Sequence, residues 1–505
     1  MEKVIRRALV SVYHKEGLAE ILKLLHEQGV EFVSTGGTST FIEGLGYPCV
    51  AVEDLTKYPS MLGGRVKTLH PAIQGGILAR RGHETDQKEV LEYGLSLIDL
   101  VIVDLYPFEA TVASGASEED IIEKIDIGGI SLIRGAAKNF EDVVIIPSQA
   151  DYATLLEILR ERGARTTLEE RRHFARRAFA VSSHYDSAIF RYFDAEDHSA
   201  LRLTADEAKP LRYGENPHQK GVFYGDLDRY FEQLHGKELS YNNLQDVEAA
   251  VSLIQDFSEP TFAILKHNNA CGCASRPTLL EAWTDALAGD PVYAFGGVLV
   301  ANRPIDVATA REIDKLFLEV LIAPDFDAEA LTILEGKKNR ILLRQKEAID
   351  ARWSYRSMLG GVLAQETDRA VETTAEMKPV TKVAPTAEEL TDLVFATKLV
   401  KHSKSNAIVL SKGGQLIASG VGQTSRVDAL KQAIEKARHF GFDLKGAVLA
   451  SDAFFPFDDC VTLAAEAGIT AIAQPGGSVR DADSIAAADR LGIAMVMTGV
   501  RHFKH

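Results

Sequence analysis

Cysteine is scarce. The chain has four in 505 residues, Cys49, Cys271, Cys273 and Cys460, too few and too scattered for a disulfide framework. Cys271-Gly272-Cys273 is a lone C-x-C with no second pair at zinc spacing, so no catalytic metal is expected. Positive charge is in deficit: Lys+Arg 56 against Asp+Glu 72 gives a net −16. Nucleic-acid binding needs a cationic face for the phosphate backbone, so it is excluded as a general function, although local basic clusters can still hold small phosphates. No apolar run approaches the ~18–20 residues that span a membrane, and the start lacks a signal-peptide apolar core. A cytoplasmic protein without a membrane partner is the expectation. No G-x-G-x-x-G is present, which makes dinucleotide binding a weak reading.

What is there is a globular composition, 46% hydrophobic and 25% charged, long enough for roughly three or four ordinary domains. Residues 8–12, 30–33, 98–105 and 143–146 are short apolar runs that read as strands. Residues 17–27, with Leu18, Ile21, Leu24 and Leu25 on one face, and a stretch from Tyr152 read as helices. This α/β alternation argues for a parallel sheet covered on both faces, with ligands beyond the strand C-termini.

Polar residues gather at those ends. Ser11-Val-Tyr13-His14-Lys15 follows the first strand. Ser34-Thr-Gly36-Gly37-Thr38 follows the second and opens a helix, which suits an anion. Gly63-Gly64-Arg65-Val-Lys67-Thr68-Leu-His70-Pro71 sets two cations, a hydroxyl and an imidazole behind a flexible Gly-Gly. A solvated basic loop has the same look, but the combination suits phosphate or carboxylate recognition. Asp104-Leu-Tyr106-Pro-Phe108 ends the long strand. Asp126-Ile-Gly128-Gly129 closes one helical stretch, and Arg134 and Lys138 share a face of the next.

The segments GGRVKTLHP, DLYPF, IDIGG and RGAAKN, in this order and spacing, resemble the IMP cyclohydrolase domain of the bifunctional purine-biosynthesis enzymes that join AICAR transformylase to IMP cyclohydrolase. The resemblance implies a methylglyoxal-synthase-like fold. It implies that Lys67, Tyr106, Asp126 and Lys138 surround the reacting formyl and carboxamide groups, and that Ser11, Ser34, Gly36, Gly37, Arg65, Thr68, Asp104 and Gly128 hold the nucleotide. Two positions depart from the family's usual pattern: His14 stands for Asp, and Asp104 for Asn, which exchanges an amide donor for an acceptor-only carboxylate. Ring closure needs the carboxamide nitrogen to attack the formyl carbon with loss of water. Lysines and N–H groups would stabilise the oxyanion, Tyr106, Asp126 and Lys138 would pass protons, and proximity supplies much of the rate.

Residues 166–190 read as a long Arg- and Ala-rich helix. The polar stretch from Phe193 to Ser199 breaks it, so the expected domains are 1–195 and 196–505. In the second, Leu211-Arg212-Tyr213-Gly-Glu-Asn-Pro-His218-Gln219 carries more hydrogen-bonding groups than a turn needs, which points to a binding loop. Gly236-Lys237-Glu238-Leu-Ser240-Tyr-Asn242-Asn243 is equally polar. A buried-strand pattern at 262–265 then stops at Lys266-His267. Burial lowers a lysine's pKa and histidine titrates near neutral pH, so a desolvated pair here can move a proton and steady a negative charge. A strand end dipping into solvent is the plain alternative.

Three short matches suggest a repeat: Ala-Ile-Leu-Lys266-His267 with Lys-Leu-Val-Lys401-His402, Val298-Leu299 with Val448-Leu449, and Leu321-Ile-Ala-Pro324 with Ala471-Ile-Ala-Gln-Pro475. They predict two similarly built α/β lobes, roughly 206–355 and 356–505, with a ligand cleft between them. Gln474-Pro-Gly-Gly-Ser-Val-Arg480-Asp481 reads as a turn suited to a phosphate or carboxylate. The phenylalanines of Ala453-Phe454-Phe455-Pro456-Phe457 read equally as core plugs or as a surface for a flat heteroaromatic ligand.

LRYGENPHQ, GKELSYNN, KHNNACG, AFGG, VKHSKSNAI, GVGQTSRVD, LASDAFFPF and QPGGSVRD together resemble the AICAR transformylase domain of the same family, so the two resemblances cover nearly the whole chain. Cytidine-deaminase-like lobes are implied, although the zinc-deaminase signature H-x-E with P-C-x-x-C is absent. His267 would take the AICAR amine proton while Lys266 stabilises the oxyanion or protonates the folate leaving nitrogen. Arg212, Tyr213, His218, Asn406 and Arg501 would bind the nucleotide. Arg426, Val427, Phe454, Pro456 and Asp459 would line the folate side. The usual K-H-A-N-P-C-G reads here Lys266-His267-Asn268-Asn269-Ala270-Cys271-Gly272, and loss of the proline is expected to loosen the turn. The expected activity is formyl transfer from 10-formyltetrahydrofolate to AICAR, giving FAICAR, then cyclodehydration to IMP, with a homodimer implied by the family alone. Rival readings are a transformylase with an inactive first domain, and a non-catalytic nucleotide sensor. Retention of the proton-handling residues weighs against both.

Overall fold

The first apolar run, Arg7–Val12, forms the middle of a five-stranded sheet between Glu31–Ser34 and Leu100–Asp104, with Cys49–Ala51 and Val144–Ile146 at the edges. All its neighbours run parallel. Leu9, Val10, Ile102 and Ile145 are fully buried, because helices cover both faces and leave no side for polar alternation. The helix Leu18–Glu27 buries Leu18, Ile21, Leu22 and Leu25 against it. The computed structural model describes residues 2–205 and 207–505. The chain divides into two units at 206/207, past the expected 195/196. The long helix Leu168–Phe193 begins at a Thr167–Glu170 capping box, in which side chain and backbone satisfy each other's free groups.

The second unit is built on a twelve-stranded sheet. At its centre two hairpins lie edge to edge: Thr261–Lys266 with Asn269–Ser275, and Ile408–Lys412 with Gln415–Gly420. Outward from the first run Gly297–Ala301, Leu318–Ala323 and Ile341–Gln345. Outward from the second run Val448–Ser451, Ala471–Gln474 and Ala494–Met497. A helix precedes each hairpin, Tyr241–Ile254 and Ala387–Lys401. The two lobes thus repeat, and they share one sheet.

One of the three sequence matches is not part of that repeat. Lys266 ends a strand, whereas Lys401 ends the helix Ala387–Lys401. The strand that answers Thr261–Lys266 is Ile408–Lys412. Both Lys-His pairs close an apolar run, but one run has strand and the other helical periodicity, which three residues do not distinguish. Lys401 is buried, and it shares the Asp256 carboxylate with His402 at 3.0 and 2.7 Å. Burial lowers the His402 pKa against the pull of Asp256. This is an internal ion network. Among the described residues no helix is long and apolar enough to cross a membrane.

Candidate active sites

In the second unit Lys266 and Asn269 face each other across the hairpin, leaving His267 and Asn268 as a two-residue turn. Their φ angles are 50° and 66°. Both signs are those of a type I′ turn, where asparagine is among the favoured residues. The turn is held from several sides. The Asn268 N–H donates to Asp246 Oδ1 at 2.6 Å. Asn269 Nδ2 donates to the His267 carbonyl at 2.8 Å, and Asn269 Oδ1 accepts the Lys404 N–H at 3.0 Å. Lys266 Nζ donates to the Phe295 carbonyl at 2.7 Å. The turn is therefore not loosened by the missing proline. Ala270 lies outside it, at a register shift in the hairpin, and Asn268 carries the conformation. Lys266 is half-buried and His267 exposed, so the lysine is less desolvated than the apolar run suggested.

His267 and Asn268 border a cavity of about 770 Å³ whose wall includes Arg212, Tyr213, Ser240, Asn243, Asp246 and Glu319. The polar stretches at 211–219, 236–243 and 266–269 thus converge. The Arg212 guanidinium lies 5.1 Å from the Tyr213 ring centre. Ser240 and Asn243 form the capping box that opens the helix Tyr241–Ile254, which brings Asp246, one turn on, beneath the hairpin. Burial raises the Asp246 pKa, opposed by the Asn268 N–H and by nearby His267 and Lys266. His218 is exposed and outside this wall.

Other expected residues gather in the second lobe. Arg426 is buried, and its guanidinium turns inward to Ser451 Oγ at 3.0 Å and Asp452 Oδ1 at 2.8 Å. Arg501 and Arg426 lie 4.4 and 5.9 Å from the Phe503 ring centre. Asn406 exchanges backbone hydrogen bonds with Gln423, and its neighbour Ser405 exchanges two with Lys504. Val427, Phe454 and Pro456 are half-buried and Asp459 is exposed. Of the loop phenylalanines Phe455 is a core plug, while Phe457 is exposed beneath Arg480. The Asp481 carboxylate accepts the Gly477 N–H at 2.7 Å, so the chain's own anion caps the turn expected to receive an external one.

In the first unit Ser11, Ser34 and Asp104 stand at strand C-termini. Ser34 is buried and donates to the Val10 carbonyl at 2.7 Å. Gly36 and Gly37 open the helix Gly36–Gly44, where Thr35 provides no side-chain cap, so its first N–H groups remain for an anion. Asp126 Oδ1 accepts the Gly129 N–H at 2.6 Å, and the Asp126 N–H donates to the Tyr185 hydroxyl at 2.9 Å. Burial raises the Asp126 pKa, and Asp104 adds to it. A Cβ on Gly128 would meet Thr68 Oγ1 at 2.6 Å, which accounts for glycine there. Lys67 faces Glu53 at 3.7 Å, and Arg65 is ion-paired with Glu123. Tyr106 packs edge-on against Tyr13, ring centres 5.6 Å apart, and the Lys124 ammonium lies 5.7 Å from the Tyr106 ring centre and 5.3 Å from that of Tyr13. The two departures from the family pattern touch each other: Asp104 Oδ2 meets both His14 Nδ1 and the His14 N–H at 2.8 Å.

A sequence model of the family described as "AICARFT/IMPCHase bienzyme" matches residues 136–436, and one described as "MGS-like domain" matches residues 17–131. The protein named "Bifunctional purine biosynthesis protein PurH" in Bacteroides thetaiotaomicron is 68% identical over 503 residues, covering 100% of this chain and 99% of its own length. This chain belongs to the AICARFT/IMPCHase bienzyme family. The proteins of the same name in Chloroflexus aurantiacus and Chlorobium luteolum are 48% and 46% identical, each covering 100% of this chain and 99% and 100% of their own.

In this AICARFT/IMPCHase bienzyme, Gly128 stands against Thr68, and Asp104 acts on Asp126. Lys138 is exposed at the far end of the 11-residue helix Gly128–Lys138, about 15 Å along its axis from Gly128. Two residues without a motif stand beside the expected ones: Asp246 in the cavity wall and Lys124 over Tyr13 and Tyr106. Asp246 had a legible signal, since it follows Asn243 by three residues on a helix opened by the polar stretch. Lys124 had none, because only the fold brings it over Tyr13 and Tyr106. Among the described residues no group of His, Cys, Asp and Glu is arranged to hold a metal ion.

Proposed function

We propose that the second unit transfers a formyl group to AICAR and the first unit closes the resulting FAICAR to IMP, the two chemistries named by the bienzyme family. The observation that carries the first step is His267 on a clamped turn that borders a polar cavity, with Lys266 beside it at the strand end. The formyl donor is a formyl-folate, 10-formyltetrahydrofolate in this proposal. The amine nitrogen bonds to the formyl carbon to give a tetrahedral oxyanion, and the bond from that carbon to the folate nitrogen then breaks. His267 takes the amine proton, and the proton reaches the leaving nitrogen. Lys266, aimed by the Phe295 carbonyl, supplies positive charge to the oxyanion in between. Arg212 and Tyr213 hold the nucleotide. Arg501 and Asn406 serve the same substrate from the second lobe, with Val427, Phe454, Pro456 and Asp459 towards the folate. Arg426 serves by ordering Ser451 and Asp452, since its guanidinium faces them.

In the first unit the carboxamide nitrogen attacks the formyl carbon, and the carbonyl oxygen leaves as water. Lys67 stabilises the oxyanion. Asp126, with its pKa raised by burial, and Tyr106 exchange the protons. The N–H groups at Gly36 and Gly37 receive the phosphate, with Arg65 and Thr68 beside it. Cytidine-deaminase-like lobes are supported by the repeated hairpin-plus-three-strand plan. A homodimer fits the exposed apolar residues Tyr355, Leu359, Val362 and Leu363 on the hairpin Trp353–Met358/Gly361–Glu366, a two-stranded sheet by itself.

FAICAR supplied alone tests the second step: IMP absorbance is expected to grow, and its absence refutes the cyclohydrolase reading. Lys266→Ala and His267→Ala are expected to abolish formylation of AICAR while leaving FAICAR closure intact.

A further inference from the structure

We propose that Asp246 is a positioning residue for formyl transfer, holding the Lys266-His267 turn in its working conformation through the Asn268 backbone N–H. The inference rests on the reading of the second unit as the formyl-transfer site.

The turn type suits a two-residue hairpin, but the residues that fill it carry a cost. Two consecutive non-glycine residues, His267 and Asn268, have positive φ, a region that costs an L residue of order 1 kcal/mol or more unless its surroundings impose it. Such strain persists only where other contacts over-determine the geometry. The shortest hydrogen bond fixing this turn is the 2.6 Å bond from the Asn268 N–H to Asp246 Oδ1. With its amide turned to suit its neighbours, the Asn268 side chain donates to the same oxygen at 3.1 Å and to the Gln245 carbonyl at 3.0 Å. One carboxylate oxygen therefore collects both donors of the residue next to the base. The bond joins elements far apart in sequence, a helix and a hairpin tip, so it sets where His267 stands relative to the cavity that the same helix lines. Asp246 itself is anchored by the Ser240–Asn243 box that opens the helix. A hairpin with this bond removed is free to relax towards ordinary φ values, which moves the imidazole without altering the nucleotide contacts of Arg212 and Tyr213.

The experiment compares Asp246→Ala and Asp246→Asn with His267→Ala, measuring the formyl-transfer kcat, the AICAR Kd by calorimetry, and thermal unfolding. Asp246→Ala removes the acceptor, and a displacement of order 1 Å is expected to lower kcat about 100-fold, with the AICAR Kd changed no more than about threefold. Asp246→Asn keeps an oxygen for the Asn268 N–H and is expected to recover most of that loss. A retained AICAR Kd shows that the second unit has folded, and if Asp246→Ala does not fold, Asp246→Ser, too short to reach the Asn268 N–H, takes its place with the same expected loss of kcat and the same overturning result. The proposal is overturned if Asp246→Ala keeps its kcat, if Asp246→Asn loses as much as Asp246→Ala, or if the loss falls on AICAR affinity while kcat is preserved. If instead His267→Ala formylates AICAR at full rate, the assignment of the site itself fails, a separate outcome.

Discussion

His14 and Asp104 show what single residues contribute and how they are misjudged one at a time. Taken separately, each departs from the family pattern, and Asp104 looks like the loss of a donor. Together they form one contact at 2.8 Å, in which the imidazole N–H donates and the carboxylate accepts, so the polarity of an Asp–Asn pair is reversed rather than lost. His14 also packs edge-on against Tyr13, ring centres 4.8 Å apart, and Tyr13 against Tyr106. His14→Ala is therefore expected to lower the cyclohydrolase kcat/KM. The double variant His14→Asp with Asp104→Asn is expected to restore it, with a coupling energy of about 1 kcal/mol. Additive single effects in that cycle would show the contact to be irrelevant. Lys138 is the opposite case, sharing a family motif but standing about 15 Å along its helix from Gly128. FAICAR closure by Lys138→Ala at full rate would remove it from the reaction. A severe loss would require another route to the substrate, such as a second copy of the chain.

At the scale of an element, the Lys-His hairpin and the C-terminal segment are the parts held most visibly by contacts from distant residues. Asn268 was legible as a departure from pattern, but not as a gain, because a φ value cannot be read from a residue name. Asn268→Ala is expected to destabilise the second unit by roughly 1–2 kcal/mol, read as a lower denaturant midpoint, while Asn268→Gly costs much less. The C-terminal segment is pinned by His502. Its ring lies between Asp368 Oδ2 at 2.6 Å and Glu372 Oε1 at 2.8 Å, and the His502 backbone N–H donates to the Asp452 carbonyl at 2.9 Å. Burial alone would lower its pKa, but the two carboxylates outweigh burial and raise it to about 9. A raised folded-state value means that the stabilisation is full below the unfolded value of about 6.5 and is lost as pH climbs through about 9. Thermal unfolding from pH 6.5 to 9 should show this decline in the native protein. It should be absent from His502→Gln, and an unchanged slope there would disprove the clamp.

For the whole molecule, the chain divides into two units at 206/207, and the proposed function places one step in each. The expected independence of the His267→Ala and Lys67→Ala phenotypes, each losing one step and keeping the other, follows from that division and is read by supplying AICAR or FAICAR separately. The homodimer reading belongs to this scale as well. Charge placed on the exposed hairpin, as in Leu359→Glu with Leu363→Glu, is expected to reduce the sedimentation coefficient if a second copy covers that surface.

Much of this was legible in the sequence for a local reason. Apolar runs bounded by glycine and polar residues mark buried strands, so the parallel sheet of the first unit, the strand before Lys266 and the polar stretches around the cavity could be placed from composition and period alone. The family was legible as well, because its motifs are short local strings that need no tertiary contact to be recognised. What only the tertiary structure decided depends on which distant segments meet. It set Asp246 under a hairpin tip, paired His14 with Asp104, turned Arg426 inward to Asp452, capped the 476–477 turn with Asp481, and made Lys401-His402 an internal ion network rather than an echo of Lys266-His267. Each of these is a hydrogen bond or ion pair between residues whose proximity comes from sheet register and helix packing, which no local pattern encodes.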